Sequence, residues 1–125
     1  MKYALVTGGS RGIGRSVCVK LAEQGYTLLI NYKSNEAEAQ KTLELVRKKN
    51  QQGELLRFDV SNKAEVDLVL GSWIENHQED VIEVLVNNAG IRQDALMMWM
   101  TDEQWKEVLG SSLDGFYYVT RLIIT

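Results

Sequence analysis

The sequence predicts an α/β domain built on a doubly wound parallel sheet, and three observations carry that prediction. Short apolar runs of strand length alternate with longer stretches whose apolar residues recur at helical spacing. Between the first run and the first helix lies the turn Thr7-Gly8-Gly9-Ser10-Arg11-Gly12-Ile13-Gly14. The third and fourth runs end in polar residues, so hydrogen-bonding groups gather outside the carboxyl ends of the strands, where such sheets bind ligands.

The first strand covers residues 3–6, an apolar run leading into the glycine turn. A helix is expected from about Arg11 to Gln24, with Ile13, Val17, Leu21 and Ala22 as its apolar positions and Gly25 as its carboxyl cap. Residues 27–32 (Thr-Leu-Leu-Ile-Asn-Tyr) read as a buried strand of the kind parallel sheets use. Ser34 and Asn35 are cap candidates for a charged, largely solvated helix that ends near Lys48 and Lys49, where cations suit the dipole. Gly53 breaks this helix, and residues 54–58 form a third strand that delivers Asp59. Asn62 and Glu65 form a capping box for a helix with Val66, Val69, Leu70, Trp73 and Ile74 on its apolar face. A fourth strand covers residues 81–86 and ends in Asn87-Asn88-Ala89-Gly90. Thr101 and Gln104 cap a short helix carrying Trp105 and Val108, and a last helix begins near Ser111 or Ser112.

Composition removes whole classes of function. With 45% apolar and 25% charged residues the chain is neither disordered nor membrane-embedded in character. A net charge of −3 with scattered Lys and Arg offers no basic field for nucleic acid. No export signal or long apolar span is visible, and the single Cys18 has no internal partner, which fits a reducing cytoplasm. Cys18 has no neighbouring base in sequence and reads as a small packed thiol.

A glycine turn between a strand and a helix is suited to phosphate. Glycines permit close backbone approach, and the free N–H groups and positive dipole end of the helix face an anion. The spacing Gly8-x-x-x-Gly12-x-Gly14 matches the dinucleotide fingerprint Gly-x-Gly-x-x-Gly in context but not in letter. The end of the second strand then discriminates between dinucleotides. An NAD site offers a carboxylate there for the ribose 2′-hydroxyl, whereas a 2′-phosphate repels a carboxylate and needs a cation. Here stand Asn31, Tyr32, Lys33 and Ser34, the first acid is Glu36 in the next helix, and Arg11 projects from the turn. The expected cofactor is NADP(H). Asp59 is placed to accept from the adenine amino group, and of Asn87 and Asn88 one can tie strands while the other faces the ribose. Gly90 lets the chain pass close to the cofactor. No motif for a metal is singled out.

These residues together resemble the short-chain dehydrogenase/reductase family, and within it the 3-oxoacyl-acyl-carrier-protein reductases. The likeness rests on the Thr7 to Gly14 turn, Asp59-Val60, Asn87-Asn88-Ala89-Gly90-Ile91, the stretch Asp94-Ala-Leu-Met-Met-Trp-Met100, and residues 105–116. It implies a Rossmann-like fold and reduction of a 3-oxoacyl thioester by the 4-pro-S hydride of NADPH. It places cofactor contacts on Gly8, Gly9, Ser10, Arg11, Gly12, Ile13, Lys33, Asp59, Val60, Asn88, Ala89 and Gly90, beside Gly14 of the same turn. It also implies a small or acyl-carrier-protein-bound substrate and assembly as a homotetramer. Read without the family, the methionine-rich 94–100 stretch is adaptable packing more often than a substrate box.

The sequence departs from that family where the chemistry belongs. Members use a Tyr-x-x-x-Lys pair preceded by a Ser, and the residues four positions after Tyr3, Tyr26, Tyr32, Tyr117 and Tyr118 are Thr7, Ile30, Glu36, Arg121 and Leu122. Tyr117 with Arg121 is the nearest imitation and reads as structural. Ser112 stands where the family places an Asn that supports its proton relay. A doubly wound sheet has strand order 3-2-1-4-5-6, and four strands are found here, so the expected order is 3-2-1-4. Residues 1–125 are therefore expected to be the amino-terminal, NADP(H)-binding part of one Rossmann domain, without the carboxy-terminal catalytic part and inactive alone. The alternative is a non-catalytic nucleotide-binding module, or a half-domain that another chain completes.

Overall fold

A computed structural model describes residues 2–89 and 115–124. The elements run β1 (Lys2–Val6), α1 (Gly12–Glu23), β2 (Thr27–Tyr32), α2 (Glu36–Lys48), β3 (Gly53–Arg57), α3 (Lys63–Asn76), β4 (Val81–Val86) and α4 (Gly115–Ile124). The sheet is parallel with order β3-β2-β1-β4, as expected from the alternation of strands and helices. The expected helix around residues 101–108, the start of the last helix near Ser111 or Ser112, and the 94–100 stretch lie outside the described residues.

Alternation along each strand feeds two cores, one on each face. Tyr3, Leu5 and Leu29 point to the face covered by Val66, Leu70 and Trp73 of α3 and Val119 of α4. Ala4, Val6, Leu28 and Ile30 point to the face covered by Cys18 and Ala22 of α1 and Leu43 and Val46 of α2. Both faces of β1 and β2 are therefore dry, which explains their unbroken apolar runs. In β4 the pairing with β1 jumps from Ile82 to Val84, so Glu83 is the extra residue of a bulge and the alternation resumes in new phase.

Of the apolar positions expected on α1, Ala22 is buried and Val17 and Leu21 pack against the core, but Ile13 is 63% exposed, and the line nearest the sheet is Gly14, Cys18 and Ala22. The helix lies so close to the sheet that only small residues fit on the inner line, and size has overridden hydrophobicity. Burial pushes the Cys18 thiol up to about 12, so it is a packing group at neutral pH. Gly25, with φ +94, ends α1 as expected.

Both capping expectations hold in substance. Asn35 accepts from Glu38 N and Asn62 from Glu65 N. Glu65, however, reaches the backbone N–H of Asp59 rather than that of Asn62, so this box also braces the loop after β3. The helix α2 ends at Lys48, as expected from the Lys48 and Lys49 pair, but Gly53 is not what breaks it: Asn50 takes the left-handed conformation with φ 60 just past the end, and Gly53 opens β3. A Cβ at Gly53 would come within 2.9 Å of Leu43 Cδ1, so this glycine serves the packing of α2 on the strand.

Candidate functional site

The ends of all four strands meet around a cavity of about 450 Å³, within the size range of ligand sites, about 300–1,000 Å³. Gly8, Ser10, Arg11 and Gly12 line it from the first turn, Lys33 from the end of β2, Asp59 and Val60 from the end of β3, and Asn88 and Ala89 from the end of β4. Nine of the residues singled out in the sequence thus share one crevice. Gly9, Ile13 and Gly14 do not line it. Gly9 packs inward against Ile30 and Cys18, Gly14 lies under the Gly8 carbonyl, and Ile13 stands exposed. Gly90 and Ser112 lie outside the described residues.

The turn is shaped by its neighbours as much as by its glycines. Gly8 and Gly12 have φ values of 63 and 62, a conformation that side-chain-bearing residues avoid. A Cβ on Gly8 would also meet Ala89 Cα at 2.9 Å. Thr7, almost fully buried, accepts from the backbone N–H groups of both Asn88 and Ala89 at 3.0 Å. Asn88 Nδ2 donates to Gly8 O at 3.0 Å. The expected division of labour between the two asparagines holds only for the tie: Asn88 joins β4 to the turn and also lines the cavity, whereas Asn87 does not face the crevice and donates to Thr120 Oγ1 on α4 at 3.3 Å.

Asn31 carries more of this architecture than its sequence position suggests. It is 2% exposed, accepts from Gly8 N at 3.1 Å, and donates to Leu56 O and Phe58 O at 3.2 and 3.0 Å. One side chain therefore joins the glycine turn to the end of β3. Thr42 and Arg15 brace the same turn from outside the cavity. Nothing in the sequence singles out Thr42 or Arg15, and Asn31 stands out there only as a residue at the end of the second strand, although a polar Asn inside the apolar run 28–32 signals a buried amide that must find partners.

The electrostatics of the crevice divide into two parts. At the α1 end, Arg11 is the N-cap residue with an extended backbone, its side chain makes no capping bond, and the first turn holds no acid. The amino termini of α2 and α3, by contrast, are closed by Asn35 and Asn62. The orphan N–H groups of α1 therefore remain available to a ligand. At the β2 and β3 ends, Lys33 Nζ lies 3.6 Å from Asp59 Oδ2. Burial works to raise the Asp59 carboxyl, but the Ser61 hydroxyl at 2.7 Å, the Ser61 N–H at 3.0 Å and Lys33 outweigh it, and its pKa lies below the usual value. Asp59 is thus a negatively charged acceptor at neutral pH.

Comparison with known proteins agrees with this geometry. The family model described as short chain dehydrogenase matches residues 2–125. The chain belongs to the short-chain dehydrogenase family. Family members are oxidoreductases that use a nicotinamide cofactor. The chain is 37% identical over 116 residues to a 3-oxoacyl-acyl-carrier-protein reductase of Staphylococcus aureus, covering 93% of this chain and 46% of that protein. It is 38% identical over 120 residues to the reductase of the same name from Aggregatibacter actinomycetemcomitans, covering 96% and 49%. An acetoacetyl-CoA reductase of Paracoccus denitrificans is 39% identical over 122 residues, covering 96% and 47%. The chain thus spans about half the length of these short-chain dehydrogenase relatives.

Outside the crevice, the described residues hold no cluster of three or more His, Cys, Asp or Glu that could bind a metal. No described helix is long and apolar enough to cross a membrane. Tyr117 is 61% exposed, and its partner in spacing, Arg121, is committed to an ion pair with Asp67 of α3. That pairing ties α4 to α3.

Proposed function

We propose that this chain is the NADP(H)-binding part of an oxidoreductase that reduces a 3-oxoacyl thioester. The observation that carries the reading is the uncapped amino terminus of α1, with Arg11 at its mouth and no carboxylate among Tyr32, Lys33, Ser34 and Asn35 where β2 ends. The N–H groups of the turn would hold the diphosphate, Arg11 and Lys33 the 2′-phosphate, and Asp59 the adenine amino group. Gly8 and Gly12 keep the turn free of side chains on the ligand side. When bound, the reduced nicotinamide supplies the hydride for the substrate carbonyl.

The thioester substrate is supported by the relatives' names, which describe a 3-oxoacyl group carried on a protein or on coenzyme A. The 125 residues contain no Tyr-x-x-x-Lys pair, so this stretch by itself supports binding rather than turnover. Assembly as a homo-oligomer, which the resemblance implies, belongs to the same proposal.

Arg11→Ala tests the assignment. It is expected to weaken NADPH binding by about 1.5–3 kcal/mol, the usual worth of a hydrogen bond to a charged group, and to leave NADH binding nearly unchanged. Calorimetric titration with each cofactor reads both quantities. An equal loss for the two would refute the assignment of Arg11 to the 2′-phosphate.

A further inference from the structure

We propose that Thr42 and Arg15 are positioning residues that aim the amide hydrogens of Ser10 and Arg11 into the crevice by holding two carbonyls from behind. Thr42, on α2, is fully buried, and its Oγ1 donates to Gly9 O at 2.9 Å and lies 3.0 Å from Ser10 O. A hydroxyl has one proton to give, so the two carbonyls need a second donor. Arg15 provides it: Nη2 donates to Ser10 O, while Nε donates to Thr42 Oγ1 at 3.0 Å and fixes the hydroxyl. Glu38 holds the guanidinium in place: its backbone oxygen at 3.0 Å and its Oε2 at 2.8 Å share the second Nη2 proton, the first going to Ser10 O. The hydrogen bond from Arg15 in turn holds the Glu38 carboxyl below its usual pKa.

The consequence follows from the planarity of the peptide unit. In a trans peptide the C=O of one residue and the N–H of the next point in opposite directions, and no cis peptide is present among the described residues. Drawing Gly9 O and Ser10 O toward α2 therefore turns the N–H groups of Ser10 and Arg11 the other way. Ser10 and Arg11 line the cavity. Neither Thr42 nor Arg15 touches that cavity, so both act through the turn. The clamp rests on the dinucleotide reading above, and it serves the diphosphate that NADPH and NADH share.

The test is a titration of Thr42→Val and Arg15→Met with NADPH and with NADH, well below the unfolding temperature of each variant. Valine keeps the shape of threonine and removes only the hydroxyl. Each variant is expected to lose affinity for both cofactors by the same factor, about tenfold, the equivalent of one hydrogen bond to a charged group, and Thr42→Ser is expected to retain it. Equal loss for both cofactors separates this clamp from Arg11→Ala, which acts on NADPH alone. A Thr42→Val protein that melts earlier but binds both cofactors as tightly as the wild type would overturn the clamp and leave the dinucleotide reading standing. Wild-type protein that binds neither cofactor would overturn both. Nuclear magnetic resonance on the wild type gives a second readout: the Ser10 and Arg11 amide signals are expected to move on adding NADPH, and their indifference would also overturn the clamp.

Discussion

Gly14→Ala is expected to destabilise the protein by about 3 kcal/mol, the upper end of the usual overpacking penalty, and to abolish cofactor binding. Helix propensity alone argues the opposite sign, because alanine is favoured over glycine inside a helix by about 1 kcal/mol. The decisive fact is local. A Cβ at Gly14 would fall inside the van der Waals envelope of the Gly8 carbonyl oxygen and 2.7 Å from Asn88 Nδ2. The first of these neighbours is backbone, and the second is held by its bond to Gly8 O, so neither can swing away. Either α1 retreats from the sheet or the turn opens, and both changes dismantle the crevice. Urea unfolding with parallel NADPH titration measures the two effects, and a variant at least as stable as the wild type would show that α1 does not pack as described.

Asn31→Leu is expected to cost about 2–4 kcal/mol in the same unfolding experiment. Leucine has the branching of asparagine but is larger, so at a site that is 2% exposed no cavity is left, and the loss combines unpaired polar groups with some overpacking. The substitution leaves Gly8 N, Leu56 O and Phe58 O without their side-chain partner, and a buried polar group left unpaired costs about 1–3 kcal/mol. Hydrogen exchange offers an independent check, since the Gly8 amide should lose protection while the backbone bond from Gly9 N to Asn31 O persists. A loss below about 1 kcal/mol, within reach of ordinary substitutions, would mean that Asn31 does not join the turn to β3.

Much of the fold was legible because its signals are local. The limits of β2 and β4 coincide with apolar runs bounded by polar residues, and Asn35 and Asn62 sit where capping chemistry demands them. Strand order followed from general rules of parallel sheets, not from any one residue. What stayed hidden depends on distance between elements. Ile13 looked like a core residue by periodicity, but the close approach of α1 admits only Gly14, Cys18 and Ala22 on its inner line. Asn50 rather than Gly53 ends α2, because asparagine also tolerates the left-handed region.

The candidate site was legible to a similar depth. Residues facing the cavity, among them Arg11, Lys33, Asp59 and Asn88, announce themselves by charge or by motif. The residues behind them do not. Thr42 reads as one more polar position on a solvated helix, and only the fold brings it against Gly9 and Ser10, more than thirty positions earlier in the chain. Lys33 and Asp59 were assigned to different parts of the cofactor, and the structure adds that they are paired with each other.

The most direct test of the dinucleotide reading is to titrate the wild-type protein with NADPH and with NADH and follow protection against thermal unfolding, since a ligand that binds the native state raises its stability. NADPH is expected to protect at about tenfold lower concentration than NADH, or less, as befits at least one added charged hydrogen bond to the 2′-phosphate. Protection by NADH equal to or stronger than that by NADPH would contradict the role given to Arg11 and Lys33, and protection by neither would contradict the crevice as a dinucleotide site.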